Sequence, residues 1–488
     1  MTVVVTYVLM PFTLRVLGQD GYGTWLLISS VTGYLNLLML GVPMASVRQF
    51  SMSLASGDER DLNVAVATCA GLFLLLGALA LAGGLGLFAF FELTYSVPAA
   101  IRPDARWAFL IVVVQLATGF VMQVPYGMLG AQHEFVRRNA ISASAILVRL
   151  VLTLVLLQVV PSLVILAAIQ FACALLEFTA GWLLIRRLFP AVRLDLALFD
   201  RAMLRRIFAF SAFVLLLNLA AQLTFQSDSL VIGRMIGIER IPYYAIGNSL
   251  VVNLMSFVIA IGGVVMPMAV RMGAKGELKQ LREVYLTWSK IALSLTLVVA
   301  VFLLVIGPDF VGWWIGPAFR DPTGRVLRIL MWSGLLFIPA RGVALPLLMG
   351  LGHAKWPTIA FLVAGVANLG ISIGLARPLG LAGVAIGTAV PNVIVAVFIL
   401  VLACRALELP VGTFVRHVVV RTAIGSMPVV GVLVALKSVL DMSRFANLVI
   451  GGTAMLLVFA LVWVGYVYRG DPYVDLPGRL RRLLARRA

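Results

Sequence analysis

Arginine side chains stand inside, or at the ends of, the long apolar runs of this sequence. The guanidinium group is a flat, bidentate hydrogen-bond donor whose shape suits phosphate. A charge in the core of a bilayer costs at least about 2.5–3.5 kcal/mol and is usually functional or paired. This pattern predicts a binding site for an anionic, phosphate-bearing substrate. The candidate residues are Arg15, Arg48, Arg149, Arg234, Arg271 and Arg341.

Two acidic residues accompany these arginines within apolar segments. Glu177 lies in the segment that follows Arg149, and Asp228 lies in "SDSLVIGRMIG". Either carboxylate could bind a coupling ion, H⁺ or Na⁺. Alternatively, Glu177 could form a buried pair with Arg149, and Asp228 could pair with an arginine.

Several of the arginines also have a purely structural interpretation. Arg48 and Arg271 could be anchors whose charged ends reach the membrane interface. Arg341 follows Pro339, so it could satisfy backbone carbonyls that the proline leaves free. A polar helical face is predicted before Asp228, because an amide recurs there at every fourth position and such a face should line water. Its residues are Asn218, Gln222 and Gln226.

The composition indicates what kind of protein holds these residues. Of its 488 residues, 62% are hydrophobic and 12% are charged, whereas soluble domains carry about 45–50% and about 25%. The apolar runs are continuous over about 20 residues, which favours membrane-spanning helices over barrel strands. The chain is therefore predicted to be an all-α membrane protein.

About fourteen transmembrane helices are predicted from these runs. Their approximate limits are 1–17, 24–48, 63–91, 106–130, 140–160, 161–185, 208–233, 243–270, 288–308, 326–350, 357–377, 381–403, 419–440 and 446–468.

The net charge of +18 is explained by topology rather than by nucleic-acid binding. Most of the Lys and Arg residues fall in alternate loops, and the positive-inside rule places those loops in the cytoplasm. Both termini are then cytoplasmic, and the protein is expected in the cell inner (cytoplasmic) membrane. The three cysteines lie at or within apolar runs, so no disulfide framework is predicted. The three histidines have no Cys or carboxylate beside them at ligand spacing, so no metal site is predicted, and no cofactor is expected.

The sequence contains an internal repeat with an offset near 220 residues. "RVLG" at 15–18 recurs as "RMIG" at 234–237, and "PMASVR" at 43–48 recurs as "PMAVR". Two further matches follow in the same order. Each copy holds six spans, so the two copies form parallel lobes around a central pathway. By pseudosymmetry, Arg48 and Arg271 are expected to face each other at the cavity mouth.

Five regions follow from the spans and the repeat. They are an N-terminal six-helix lobe (1–187), a cytoplasmic linker (188–207), a C-terminal six-helix lobe (208–405), two additional transmembrane helices (406–470) and a basic cytoplasmic tail (471–488). The first span is shorter than its repeat mate, which suggests that the natural start lies upstream of Met1. Gly18, Gly21 and Gly23 have the spacing GxxGxG and are interpreted as a tight turn between helices.

The first hairpin resembles that of the Wzx-type oligosaccharide flippases, in the superfamily shared with lipid II flippases and MATE drug exporters. The segment is "LRVLGQDGYGTWLLISSVTGYLNLLMLGVPMASVRQ", and "SDSLVIGRMIGIERIPYYAIGNSL" at 227–250 resembles the seventh span of that family. The matching residues are Arg15, Gly18, Tyr22, Gly23, Gly41, Arg48, Asp228, Gly233, Gly237 and Tyr244. The resemblance covers nearly the whole chain.

The resemblance implies two MATE-like six-helix lobes around a central cavity and alternating access. It implies a flippase, not an enzyme, that moves a polyprenyl-pyrophosphate-linked oligosaccharide between leaflets. Its partners would be that substrate, membrane lipids and polysaccharide polymerase or export proteins. A MATE-like exporter of small organic molecules is the alternative, but the arginines in the spans outnumber the carboxylates and so favour an anionic substrate. A membrane enzyme is less favoured, because no loop carries a catalytic pair of carboxylates.

Overall fold

The computed structural model describes residues 2–39, 41–192, 194–205, 219, 222 and 226–473. Within these residues the chain is predominantly helical and contains no β-strand, in agreement with the predicted all-α class. The chain divides into two compact units between Pro242 and Tyr243. The predicted linker and the start of the second lobe fall partly outside the described residues, so those boundaries stay predictions.

Local sequence explains where helices of the first unit begin and end. Asp58 caps one helix by accepting a hydrogen bond from the Arg60 amide at 2.8 Å, and Ser162 caps another; both are strong N-cap residues. Gly57 ends the preceding helix in the left-handed conformation that glycine favours. The main helices are α1 (Thr2–Gly33), α2 (Val42–Ser56), α3 (Glu59–Thr94), α4 (Arg102–Val121), α5 (Gln123–Ala131), α6 (Phe135–Val159), α7 (Leu163–Leu188) and α8 (Ser227–Met235).

The second unit is built in the same way, with short π-helical turns between some of its helices. Such turns occur at Ala340–Ala344, Val415–Val420 and Trp463–Val467. The helices are α9 (Ile241–Ile259), α10 (Gly262–Ala274), α11 (Leu278–Val305), α12 (Gly307–Trp314), α13 (Arg320–Pro339), α14 (Leu345–Gly350), α15 (Lys355–Leu379), α16 (Leu381–Ala406), α17 (Val411–Phe414), α18 (Arg421–Val439) and α19 (Phe445–Val462).

Twelve helical stretches of the described chain are long and apolar enough to cross a membrane. The predicted count of about fourteen is not confirmed, for two reasons. The first two predicted spans form one run from Val4 to Ser56. The seventh, 208–233, lies mostly outside the described residues.

The predicted turn over residues 18–23 is confined to one residue. Gly18 has φ 71° and ψ −179°, which breaks α1, and helical geometry resumes after it. Gly23 is small for another reason: a Cβ there would lie 2.2 Å from the Ile238 carbonyl oxygen. One glycine therefore supplies the backbone bend, and the other allows two backbones to approach closely.

Backbone conformation repeats along the chain with a constant offset. Gly18 and Gly237, Gly57 and Gly276, and His133 and Gly352 all have positive φ, and the members of each pair are 219 positions apart. Because positive φ is uncommon and marks special turns, three pairs at one spacing support the internal repeat independently of residue identity.

This offset changes the register of one predicted pair of arginines. Arg15 and Arg234 are 219 positions apart and stay equivalent. Arg48 and Arg271 are 223 positions apart, so relative to the glycines they differ by about one helical turn. They occupy similar faces of their helices but not matching positions.

Candidate functional site

A cavity of about 860 Å³ opens in the first unit. The short 3₁₀ helix that follows α1 (Tyr34–Met39) and the start of α2 form one side of its lining. Helix α5, the beginning of α6 and two glutamines before α8 complete it. The lining residues are Asn36, Leu37, Met39, Gly41, Pro43, Met44, Val47, Gln123, Tyr126, Gly127, Gly130, Phe135, Arg138, Gln222 and Gln226.

Amide side chains give this cavity its polar character. The predicted cavity residues Gln222 and Gln226 both line it, together with Asn36 and Gln123. Gln222 Nε2 donates a hydrogen bond to the Gly33 carbonyl at 2.9 Å, and Asn36 Nδ2 donates to the same oxygen at 3.2 Å. Amides both donate and accept hydrogen bonds, so the lining suits a ligand rich in hydroxyl groups. The third predicted residue, Asn218, lies outside the described residues.

Arg138 is the cationic side chain that lines this cavity. It is half-buried, its guanidinium lies 5.5 Å from the centre of the Phe135 ring, and its Nη1 lies against Gly130. Arg137, next to it, pairs with Glu134 at 3.3 Å. Among the described residues Arg138 has no acidic side chain within ion-pair distance. Its donors are therefore available to an anionic ligand.

Hydrogen bonds connect Glu177 to a residue that lines the cavity. Its Oε1 accepts hydrogen bonds from the Tyr126 hydroxyl and the Ser142 hydroxyl, and Tyr126 itself lines the cavity. The cluster joins α5, α6 and α7. The possible buried pair with Arg149 is not present, since Glu177 forms no ion pair within 4 Å in the described part of the chain.

Asp228 is buried, with 2% of its surface exposed, in the first turn of α8. It interacts electrostatically with Tyr34, and Arg234 at the other end of α8 interacts with Tyr95. Burial raises the pKa of Tyr95 to about 12, and the charge of Arg234 opposes that rise. Asp228 is thus a buried carboxylate close to Tyr34, and its predicted ion-binding role stays a prediction.

The remaining predicted arginines occupy different environments. Arg15, Arg48 and Arg234 are exposed, as is Arg271 in the second unit. Arg149 lines a separate, smaller cavity in the first unit. None of these five residues lines the 860 Å³ cavity.

Arg341 lies in the second unit, next to two phenylalanine rings. It lies in the π-helical turn Ala340–Ala344, half-buried, with its guanidinium 5.8 Å from the Phe337 ring centre and 5.3 Å from that of Phe361. Cation–π contacts of this kind stabilise a buried guanidinium. Single π turns within helices are frequent at functional positions.

Sequence reasoning missed four residues of the site: Asn36, Arg138, Tyr126 and Ser142. Arg138 lies in "QHEFVRRN", and a basic segment of this kind between two apolar runs indicates only the orientation of the chain in the membrane. Its close neighbour Phe135 was the available signal, since an aromatic three positions before an arginine on a helix can support a cation–π contact. The hydroxyl groups around Glu177 carry no comparable signal.

Comparisons with known proteins identify the family. A model of the polysaccharide biosynthesis protein family matches residues 1–273. The membrane protein EpsK of Bacillus subtilis (strain 168) is 22% identical over 390 residues, which cover 78% of this chain and 75% of EpsK.

Solved structures show the fold. The lipid II flippase MurJ, in an inward closed conformation, matches with a TM-score of 0.71 at 14% identity over 95% of this chain and 97% of that one. An inward-facing multidrug resistance MATE family transporter of the MOP superfamily matches with a TM-score of 0.69 at 15% identity, over 83% and 94%. The predicted MATE-like fold class is therefore confirmed. Because the family model covers more than half of the chain, this multi-pass membrane protein, whose fold is similar to those of MurJ and the MATE transporter, belongs to the polysaccharide biosynthesis protein family.

Proposed function

We propose that this protein is a flippase that moves a polyprenyl-pyrophosphate-linked oligosaccharide across the cytoplasmic membrane by alternating access. Membership of the polysaccharide biosynthesis family supports a sugar-bearing substrate. The fold shared with a lipid II flippase supports a lipid-linked one.

The lining of the 860 Å³ cavity suits the chemical groups of such a substrate. Its four amides suit the hydroxyl groups of sugars, and Arg138 suits a phosphate. The apolar residues Leu37, Met44 and Phe135 give it surfaces for the faces of sugar rings. A site for organic cations would need a carboxylate in its lining instead, whereas no acidic side chain of the described residues lines this cavity.

The exposed arginines have a role in first contact with the substrate. Arg48 and Arg271 attract the pyrophosphate at the cytoplasmic side of the membrane. Arg15 and Arg234 do so at the outer side. Their exposure lets the charge act at long range, although salt screens it over about 10 Å. Arg341, in the second unit, is a further proposed contact for the anionic group of the substrate.

Two buried or half-buried carboxylates couple transport to an ion, H⁺ or Na⁺. Asp228 is buried near Tyr34, and Glu177 is next to the cavity through Tyr126. An ion bound by Glu177 would compete with its charge-assisted hydrogen bonds, and the Tyr126 side chain could then turn within the cavity.

The protein lies in the cell inner membrane with both termini in the cytoplasm, and it works with polysaccharide polymerase and export proteins. The excess of basic residues in alternate loops supports this orientation.

Reconstituted vesicles test the function. Purified protein should move a fluorescent lipid-linked oligosaccharide between leaflets, as measured by a membrane-impermeant quencher. The same vesicles should not accumulate a fluorescent organic cation. Cation transport without lipid movement would favour the MATE-like exporter and contradict the proposal.

A further inference from the structure

A second cavity of about 200 Å³ lies in the first unit between α1, α6 and α7. Water occupies about 30 Å³ per molecule in the liquid, so the cavity has room for a small hydrated ion. The lining contains one cationic side chain and no carboxylate. Its residues are Thr6, Leu9, Met10, Thr13, Tyr22, Trp25, Ser29, Arg149, Thr153, Leu166 and Gln170.

Arg149 brings a positive charge into this cavity without a neutralising partner. It is half-buried on α6, and among the described residues no carboxylate lies within 4 Å of its guanidinium. Glu177, two turns beyond Gln170 on α7, is engaged by Tyr126 and Ser142. An arginine at membrane depth is normally paired or lines an aqueous path.

Thr153 adds an independent sign that a ligand belongs there. It follows Arg149 by one helical turn, is 1% exposed, and its buried hydroxyl has no hydrogen-bond partner. A threonine in a helix can bond to the carbonyl one turn back, and here it does not. Buried polar groups nearly always have a partner, so this hydroxyl needs one that the protein does not supply.

Two more hydrogen-bond donors belong to the lining. Tyr22, 6% exposed on α1, and Gln170 on α7 make no hydrogen bond to another described residue. The hydroxyl of Tyr22 and the amide nitrogen of Gln170 can both donate. Three helices therefore contribute donors around one uncompensated guanidinium.

We propose that this cavity binds a small inorganic anion such as chloride, held by Arg149 and by donors on Thr153, Tyr22 and Gln170. Water alone would satisfy the hydroxyl groups but would bring no negative charge to compensate the Arg149 guanidinium. The site differs from the 860 Å³ cavity, with which it shares no lining residue.

The cavity is lined by residues from both sides of the break in α1. Thr13 lies before the break at Gly18, and Tyr22 lies after it, yet both line the same cavity. An anion held there contacts both halves of the broken helix and ties them to α6 and α7. Anion binding should therefore fix the angle at Gly18.

Thermal unfolding of the purified full-length protein in detergent tests the proposal. Sodium gluconate is replaced by sodium chloride at constant ionic strength, and tryptophan fluorescence reports the melting temperature. A ligand that binds only the folded state raises that temperature in a saturable way. We expect such a rise in the wild type and in Arg187→Gln, which removes an exposed arginine at the end of α7.

Variants of the site should change this response in a graded way. Arg149→Gln should abolish the chloride effect. Thr153→Val should raise the half-saturating chloride concentration roughly tenfold, because a hydrogen bond to a charged group is worth about 1.5–3 kcal/mol. In crystals grown with bromide, an anomalous peak should lie beside Arg149.

Three results would overturn the proposal. These are no chloride effect in the wild type, an undiminished effect in Arg149→Gln, or stabilisation by inorganic pyrophosphate but not by chloride. The last result would assign Arg149 to the phosphate of a larger substrate. The experiment measures binding and not transport, so its failure would leave the proposed flippase activity untouched.

Discussion

Lys290 and Asp471 form an ion pair in which neither side chain is exposed. Lys290 Nζ also donates to the Val467 carbonyl at 2.9 Å, and His417 Nε2 lies 3.5 Å from Asp471 Oδ2. The pair fastens the middle of α11 to the residues that follow Trp463–Val467, the last described helical segment. Breaking such a pair on one side leaves a buried charge without a partner.

Removing only the lysine should therefore be strongly destabilising. We expect Lys290→Met to lower the free energy of unfolding by about 3–5 kcal/mol, measured by denaturation in detergent. The double variant Lys290→Met with Asp471→Leu should recover most of the loss. Lys279→Met, at an exposed position of the same helix, is the control. Similar unfolding curves for Lys290→Met and Lys279→Met would contradict this account.

The ion pairs of the buried Asp309 carboxylate should make the stability of the protein depend on pH. Its carboxylate is 3% exposed and lies 2.7 Å from Lys437 Nζ, while Arg320 Nε donates to its other oxygen at 3.0 Å. Burial would raise the pKa of Asp309, but the contacts with Lys437 and Arg320 outweigh it and hold the pKa below the usual range.

A carboxyl group whose pKa is lower in the folded state stabilises the protein above its unfolded pKa of about 3.9, and this contribution is lost as the pH falls through the folded value. Asp309→Asn should therefore destabilise at pH 7 by on the order of 1 kcal/mol, since solvent screens the half-exposed Arg320. Towards pH 3 the variant and the wild type should converge. Thermal melts at both pH values test this, and a gap that widens towards pH 3 would rule it out.

Gly23 should tolerate no side chain. A Cβ at this position would lie 2.2 Å from a backbone oxygen, which cannot move aside as a flexible side chain can. We expect Gly23→Ala to destabilise by about 1–3 kcal/mol. Gly119→Ala is the matched control, because a Cβ there meets nothing within 4 Å and alanine favours the helix. If both variants melt alike, the close backbone contact is not important.

The helices were predictable from sequence because long apolar runs fix membrane spans almost by length alone. The break between the first two spans was harder, since the glycine spacing alone does not reveal which glycine bends the chain. Of Gly18, Gly21 and Gly23, only Gly18 has positive φ, whereas Gly23 must be small because the Ile238 backbone packs against it. Short sequence matches indicate the repeat, but its register follows only from the backbone angles. In that register Arg48 and Arg271 are not equivalent, because they differ by about one helical turn.

The site was less accessible to sequence reasoning than the fold. Glu177 was recognised as a charge at membrane depth, yet its partners lie 51 and 35 positions away and come together only by packing. Arg138 was overlooked because a pair of adjacent arginines in a loop normally marks orientation. Packing separates the two: Arg137 pairs with Glu134, while Arg138 lines the cavity.

Topology is testable without reference to substrate. The distribution of basic residues predicts that positions 102, 240 and 320 face the outside, whereas 60, 137, 279 and 482 face the cytoplasm. Single cysteines introduced into a variant without Cys69, Cys173 and Cys404 can be labelled with a membrane-impermeant reagent on intact cells. External labelling at 279 together with protection at 320 would reverse the proposed orientation.

The most direct test compares Arg138→Ala with Arg137→Ala in vesicles that carry a fluorescent lipid-linked oligosaccharide. The two variants remove the same charge from adjacent positions, and only Arg138 lines the cavity. A charge-assisted hydrogen bond is worth about 1.5–3 kcal/mol, so Arg138→Ala should slow flipping about tenfold or more, with partial recovery in Arg138→Lys. Arg137→Ala should flip at nearly the wild-type rate. Equal flipping by Arg138→Ala and the wild type, at equal protein levels, would contradict substrate passage through this cavity.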